Sequence, residues 1–81
     1  SGVTTANTST TVMAANANRQ FFFFQNLGNK PMYLAIGYPA ASTTSILVAA
    51  DGGSVVFDRF VPTQQINVWC DTNHNYVALQ G

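Results

Sequence analysis

From Val12 onward, apolar positions gather in short runs, several alternating with polar ones. Turn-forming residues separate these runs at roughly the 8–12-residue spacing of an all-β sandwich or barrel. No window holds a 3.6-residue apolar period through two turns, and Gly, Pro, Asn, Thr and β-branched residues dilute the helix formers. The pattern predicts seven strands, over residues 11–14, 20–26, 32–37, 45–49, 54–58, 65–70 and 76–80. The expected fold is therefore all-β: a small antiparallel β-sandwich or jelly-roll-like barrel of about seven short strands spanning residues 12–81. Residues 1–11 precede it, with Thr4, Thr5, Asn7, Thr8, Ser9, Thr10 and Thr11 supplying little to anchor a core, and they read as an extended N-terminal arm.

The turns have definite chemistry. Asn26-Leu27-Gly28-Asn29-Lys30-Pro31 and Asp51-Gly52-Gly53 tolerate positive φ and suit hairpin loops. Asp71-Thr72-Asn73-His74-Asn75 is expected to close a last hairpin, with Ile66, Val68 and Cys70 sharing one face with Val77 and Leu79. Asn67 and Trp69, opposite Tyr76, Ala78 and Gln80, would form a half-polar, half-aromatic contact face. Gln20-Phe21-Phe22-Phe23-Phe24-Gln25 places two Phe on each side of one strand, so that strand is expected to be covered twice. One pair enters the core and the other lies under a loop, the arm or a neighbouring subunit; left bare, so β-prone and charge-free a segment is an aggregation hazard.

Charge changes the picture next. Arg19, Lys30, Asp51, Asp58, Arg59 and Asp71 are the only charged residues, 7% of the chain against about 25% in average domains, and they cancel. Without a basic stripe, nucleic acid is not an expected partner; without a long apolar run, neither is a membrane. At 81 residues the chain makes a single domain that buries little surface, and at zero net charge little repels one copy from another. A lone Cys70 forms no intrachain disulfide, and one His with one Cys makes no structural zinc site, so association is the stabiliser left. Ser1 to Thr5 show neither the positive n-region nor the apolar h-region of an intact secretory signal, so Asn7-Thr8-Ser9 is expected to match a glycosylation acceptor by coincidence.

Candidate chemistry is thin. His74 is the one general base with a useful unperturbed pKa, and it sits in a polar turn with no second His and no Glu to build a cluster. Cys70 aligns with Ile66 and Val68 and reads as a buried small hydrophobe. Residues 71–75 place oxygen ligands at the first, third and fifth positions of a calcium loop, but Tyr76 stands where the sixth position needs Gly. No enzyme, cofactor or metal is expected. Arg19 and Arg59, each beside Phe, read as interface hydrogen bonders or as partners in surface ion pairs with Asp58 or Asp71. Trp69, Tyr33, Tyr38 and Tyr76, with the many amides, would also suit stacking on sugar rings.

Several segments resemble small bacteriophage virion proteins, the capsid decoration or cement proteins and related head or fibre modules. They are Asn16-Ala17-Asn18-Arg19, the stretch from Gln25 through Pro31 to Leu34, Leu47-Val48-Ala49-Ala50-Asp51-Gly52-Gly53-Ser54 and Phe57-Asp58-Arg59-Phe60-Val61-Pro62-Thr63. The resemblance runs over residues 16–81. It implies a β-sandwich, often trimeric, that is made in the host cytoplasm, sits on the outer face of an icosahedral head and holds capsomers together. The implied partners are copies of itself, as a homotrimer, and the major capsid protein; a fibre or receptor-binding module recognising glycans is the alternative. No functional residue carries over individually. The candidate contacts are read from residue type alone: Thr4 and Thr5 in the arm, Arg19, Phe22, Phe24, Arg59, Phe60, Trp69 and Tyr76.

Overall fold

The computed structural model describes residues 2–42 and 45–81; Ser1, the first residue of the expected arm, lies outside them. Eight strands follow one another: β1 (Gly2–Val3), β2 (Thr10–Met13), β3 (Phe22–Asn26), β4 (Met32–Ile36), β5 (Ile46–Val48), β6 (Ser54–Phe57), β7 (Ile66–Trp69) and β8 (Asn75–Gln80), with no helix among the described residues. They form two four-stranded antiparallel sheets of order β1-β8-β3-β6 and β2-β7-β4-β5. The small antiparallel β-sandwich expected from the spacing is the fold.

Its topology has a simple origin. The chain runs out through β1 to β4 and returns through β5 to β8, each returning strand pairing with its outgoing counterpart: β1 with β8, β2 with β7, β3 with β6, β4 with β5. This ribbon folds over itself, and the pairs β3·β8 and β4·β7 stitch it closed. Eight strands in that order are a jelly roll.

Alternation selects the core. In β3, Phe22, Phe24 and Asn26 are buried while Phe23 and Gln25 are half-exposed. Phe22 and Phe24 meet Met32, Leu34, Val48, Ile66, Val68 and Cys70 from the opposite sheet, with Tyr76 and Ala78 beside them. The Phe24 and Tyr76 rings stack at 5.2 Å, and burial raises the Tyr76 phenol above its usual pKa.

Three expectations are corrected by this topology. Residues 71–74 do not close a hairpin, because β7 and β8 lie in different sheets. Consequently Tyr76 and Ala78, in register with Asn26 and Phe24, face inward, and Leu79 is exposed. The turns at 26–31 and 51–53 likewise carry the chain from one sheet to the other. The reason is that residues permitting a tight reversal do not record whether the next strand pairs beside the last or packs across from it. At 26–31 the crossing is held by Asn26, whose buried amide donates to Lys30 O (2.7 Å) and Val48 O (3.3 Å) and accepts from Gly28 N (2.8 Å). Gly52 takes φ 98° in the second crossing.

The arm is also corrected. Residues 2–13 supply two edge strands, and the span between them is tied down by the 70–74 segment. Thr4 is buried, its hydroxyl donating to Thr72 O (2.8 Å) and accepting from His74 N (2.9 Å). Ala6 N donates to Asn73 Oδ1 and Asn7 N to Cys70 O. Small polar side chains conceal this role because backbone pairing, not burial of apolar groups, holds them.

Gly53 is a close-approach position. A methyl there would collide with the carbonyl oxygen of Ala49 and lie 2.9 Å from that residue's carbonyl carbon and nitrogen, so backbone has to move. Gly53→Ala is expected to cost about 1–3 kcal/mol, seen as a melting temperature lowered by roughly 4–8 °C per kcal/mol; an unchanged melting curve would contradict the packing of this crossing.

Candidate interaction surfaces

With the core assigned, the outward positions can be read strand by strand. On the first sheet, β8, β3 and β6 place Leu79, Phe23 and Val56 in one direct cross-strand row. Leu79 and Val56 are more than half exposed, and Val77 and Val3 extend the apolar surface toward β1. On the second sheet, Leu47, Tyr33 and Trp69 form the matching row across β5, β4 and β7. Leu47 is 60% exposed, and the Tyr33 and Trp69 rings meet edge to face at 5.9 Å. Beside this row, residues 38–40 lie over the outer face: Asn67 Nδ2 donates to Tyr38 O (2.7 Å), Ala40 N donates to Ser9 Oγ, and Ala35 and Asn67 are buried. Neither exposed row contains a charged residue.

Two further features stand at the ends of the first sheet. At the β1–β8 edge a shallow cleft of ≈ 380 Å³ is lined by Gly2, Val3, Leu27, Asn75, Tyr76 and Val77. Beyond β6, at the other edge, Phe60 is fully exposed and held at φ 49°, a left-handed conformation that is an outlier for a bulky side chain.

The nine candidate contacts separate sharply against this surface. Thr4, Arg19, Phe22 and Phe24 are buried within the subunit and are corrected: they hold the fold; Tyr76 is also largely buried, stacked on Phe24, and only the part of it that lines the β1–β8 cleft is open. Phe22, Phe24 and Tyr76 face the core because the strand's inward set begins at Phe22. Arg19 spends its hydrogen bonds inside the subunit, and among the described residues it forms no ion pair. Its guanidinium donates to Gln80 Oε1 (2.8 Å), Pro62 O (2.7 Å), Gln64 O (3.0 Å) and Ala14 O (2.8 Å), and lies 5.8 Å from the Phe22 ring centroid. Desolvation lowers its pKa from the ordinary arginine value, leaving it charged at any physiological pH. Thr5, Arg59 and Phe60 are exposed and Trp69 half-exposed. The surface residues that composition did not single out are Phe23, Val56, Leu79, Leu47, Leu27 and Val3. Their signal was alternation, readable only once β8 is paired with β3.

The polar turn has no convergent site. Asn73 Oδ1 is occupied by Ala6 N, and Asp71 Oδ1 accepts from Thr72 Oγ1. Among the described residues no three His, Cys, Asp or Glu side chains gather as a metal site, and no helix is long and apolar enough to cross a membrane. Cys70 is buried with its thiol 3.5 Å from Pro31 O. Comparison of the chain with protein-family models, curated proteins and solved structures returned no match.

Proposed function

We propose that the protein is a structural subunit of a phage virion. On this reading it forms a symmetric oligomer on the outer surface of the capsid and stabilises contacts between capsomers as a decoration or cement protein. The observation that carries the reading is the pair of charge-free apolar rows, Leu79–Phe23–Val56 and Leu47–Tyr33–Trp69, on opposite outer faces of one small sandwich. A solitary soluble domain seldom leaves both sheets bare of charge; a subunit with neighbours on two sides gains from it. The jelly roll adds an analogy of fold, since capsid proteins share it with lectins and cupins. Docking by a free arm is no part of the proposal, because residues 2–3 and 10–13 are strands of the sandwich and the span between them is hydrogen-bonded to residues 70–74.

The test is co-sedimentation with capsids of the phage that encodes the chain. The wild type is expected to pellet with capsids and to be oligomeric by light scattering at micromolar concentration. Leu79→Asp or Leu47→Asp is expected to weaken capsid binding at least about tenfold while leaving the circular dichroism spectrum unchanged, because a charge is then desolvated at the contact. A stable monomer that stays in the supernatant would overturn the reading. The receptor-binding alternative is favoured by one observation, the half-exposed Tyr33–Trp69 pair, which could stack on a sugar ring. It requires glycan-array binding that Trp69→Ala removes.

A further inference from the structure

We propose that Phe60 of one copy inserts into the β1–β8 cleft of the next, joining subunits head to tail. The proposal deepens the oligomer reading above and rests on it for self-association, but not on where the assembly docks.

Three observations carry it. The first is a knob. Phe60 has 100% of its surface exposed and packs against nothing in its own subunit. Its φ of 49° turns the backbone through a conformation a bulky residue avoids; such outliers persist where surrounding structure enforces them and concentrate at functional positions. The second is a hole. The cleft of ≈ 380 Å³ offers Val3, Leu27 and Val77 as apolar walls and the Tyr76 ring beside Gly2. Leu27 and Val3 are each about half exposed, so the walls are open to an incoming side chain.

The third is placement and charge. The knob follows β6 at one edge of the first sheet, and the cleft lies on β1 and β8 toward the other. They also sit at opposite ends of the strands. Phe57, just before the knob, is in register with Phe22, whereas Tyr76 in the cleft is in register with Asn26. Three strand spacings across and four residues along separate them by roughly 20 Å. A copy cannot fill its own cleft, so the matching surfaces belong to two copies. Asp58 and Arg59 precede the knob directly. Beside the cleft, Lys30 lies on the connection that carries Leu27, and Asp51 N donates to Gly28 O of that same connection. All four charged residues are exposed, and among the described residues none of them forms an ion pair. Each side of the contact therefore carries one cation and one anion, Arg59 with Asp58 and Lys30 with Asp51, so opposite-sign pairing across it is available. A contact of this kind uses different patches on its two sides, so repetition closes into a ring when the rotation per copy permits.

Mixed cysteine variants test the contact. Under mild oxidation, the Arg59→Cys chain, which keeps the Phe60 knob, mixed with the Leu27→Cys chain is expected to yield a disulfide-linked dimer that neither variant gives alone. Cys70 is buried and stays out of the reaction. The Arg59→Cys/Leu27→Cys double variant is expected to give a ladder of linked copies. Separately, Phe60→Gly relieves the backbone conformation and removes the knob. It is expected to keep or raise the melting temperature of the subunit while weakening self-association about tenfold to a hundredfold. Self-linking by Arg59→Cys alone, or an oligomer whose mixed variants never link, overturns this contact and leaves the oligomer reading standing. A wild-type chain that remains monomeric at high micromolar concentration overturns both.

Discussion

Arg19→Ala is expected to remove about 3–5 kcal/mol of stability, because four hydrogen bonds from a charged donor are lost together without adding fully. A domain of 81 residues has roughly 4–12 kcal/mol in total, so the loss is a large share of the whole. The magnitude follows from what the guanidinium joins. Its donors reach Ala14 after β2, Pro62 and Gln64 in the β6–β7 connection, and Gln80 at the end of β8. Truncation leaves three backbone carbonyls and one amide oxygen without their donor, and hydrogen bonds to a charged group contribute about 1.5–3 kcal/mol each without adding fully. The ring of Phe22 also loses the cation above it. Arg19→Lys should recover only part of the loss, because an ammonium cannot span four acceptors in the plane of a guanidinium. Urea unfolding followed by the fluorescence of Trp69, the one tryptophan, measures both variants. A loss below about 1 kcal/mol for Arg19→Ala would show that this network does not hold the sandwich.

Phe24→Ala should be nearly as damaging. Phe24 is fully buried among Met32, Leu34, Val48 and Val68, and its ring stacks on Tyr76. Removing a buried Phe costs about 3–5 kcal/mol through lost transfer energy and the cavity left behind, and the aromatic pair adds roughly 0.5–1.5 kcal/mol. The informative comparison is the neighbouring residue. Phe23 points to the outer face between Leu79 and Val56, so Phe23→Ala should cost the isolated subunit about 1 kcal/mol and fall instead on assembly. Denaturant titrations below the association concentration separate the two effects. Equal losses at both positions would mean that the outer row is covered within the subunit.

Much of the architecture was legible because it depends on local pattern. The seven strands expected from residue 11 onward all form, each within two residues of its observed ends, since alternation and turn residues report on backbone preference directly. The eighth, Gly2–Val3, was hidden because an edge strand of two residues needs no apolar signal. The interaction surface was much less legible. Residue type singled out Phe60 and Arg59, which are exposed, as contacts, yet the same reasoning selected Phe22, Phe24 and Tyr76, which are core. Aromatic and arginine side chains are favoured equally by cores, by buried hydrogen-bond hubs and by interfaces, so type cannot distinguish them.

For Phe21 to Phe24 the sequence alone determined that two rings would go each way and that the chain would be a charge-poor β-sandwich. Only the tertiary structure decided which two go inward, because pairing with β8 and β6 sets the register of the whole sheet and a shift by one residue exchanges its faces. Arg19 was decided in the same way. Its charge is written in the chain, but the four acceptors that neutralise the cost of burying it come from segments 5, 43, 45 and 61 residues away, which meet only when the ribbon folds over itself.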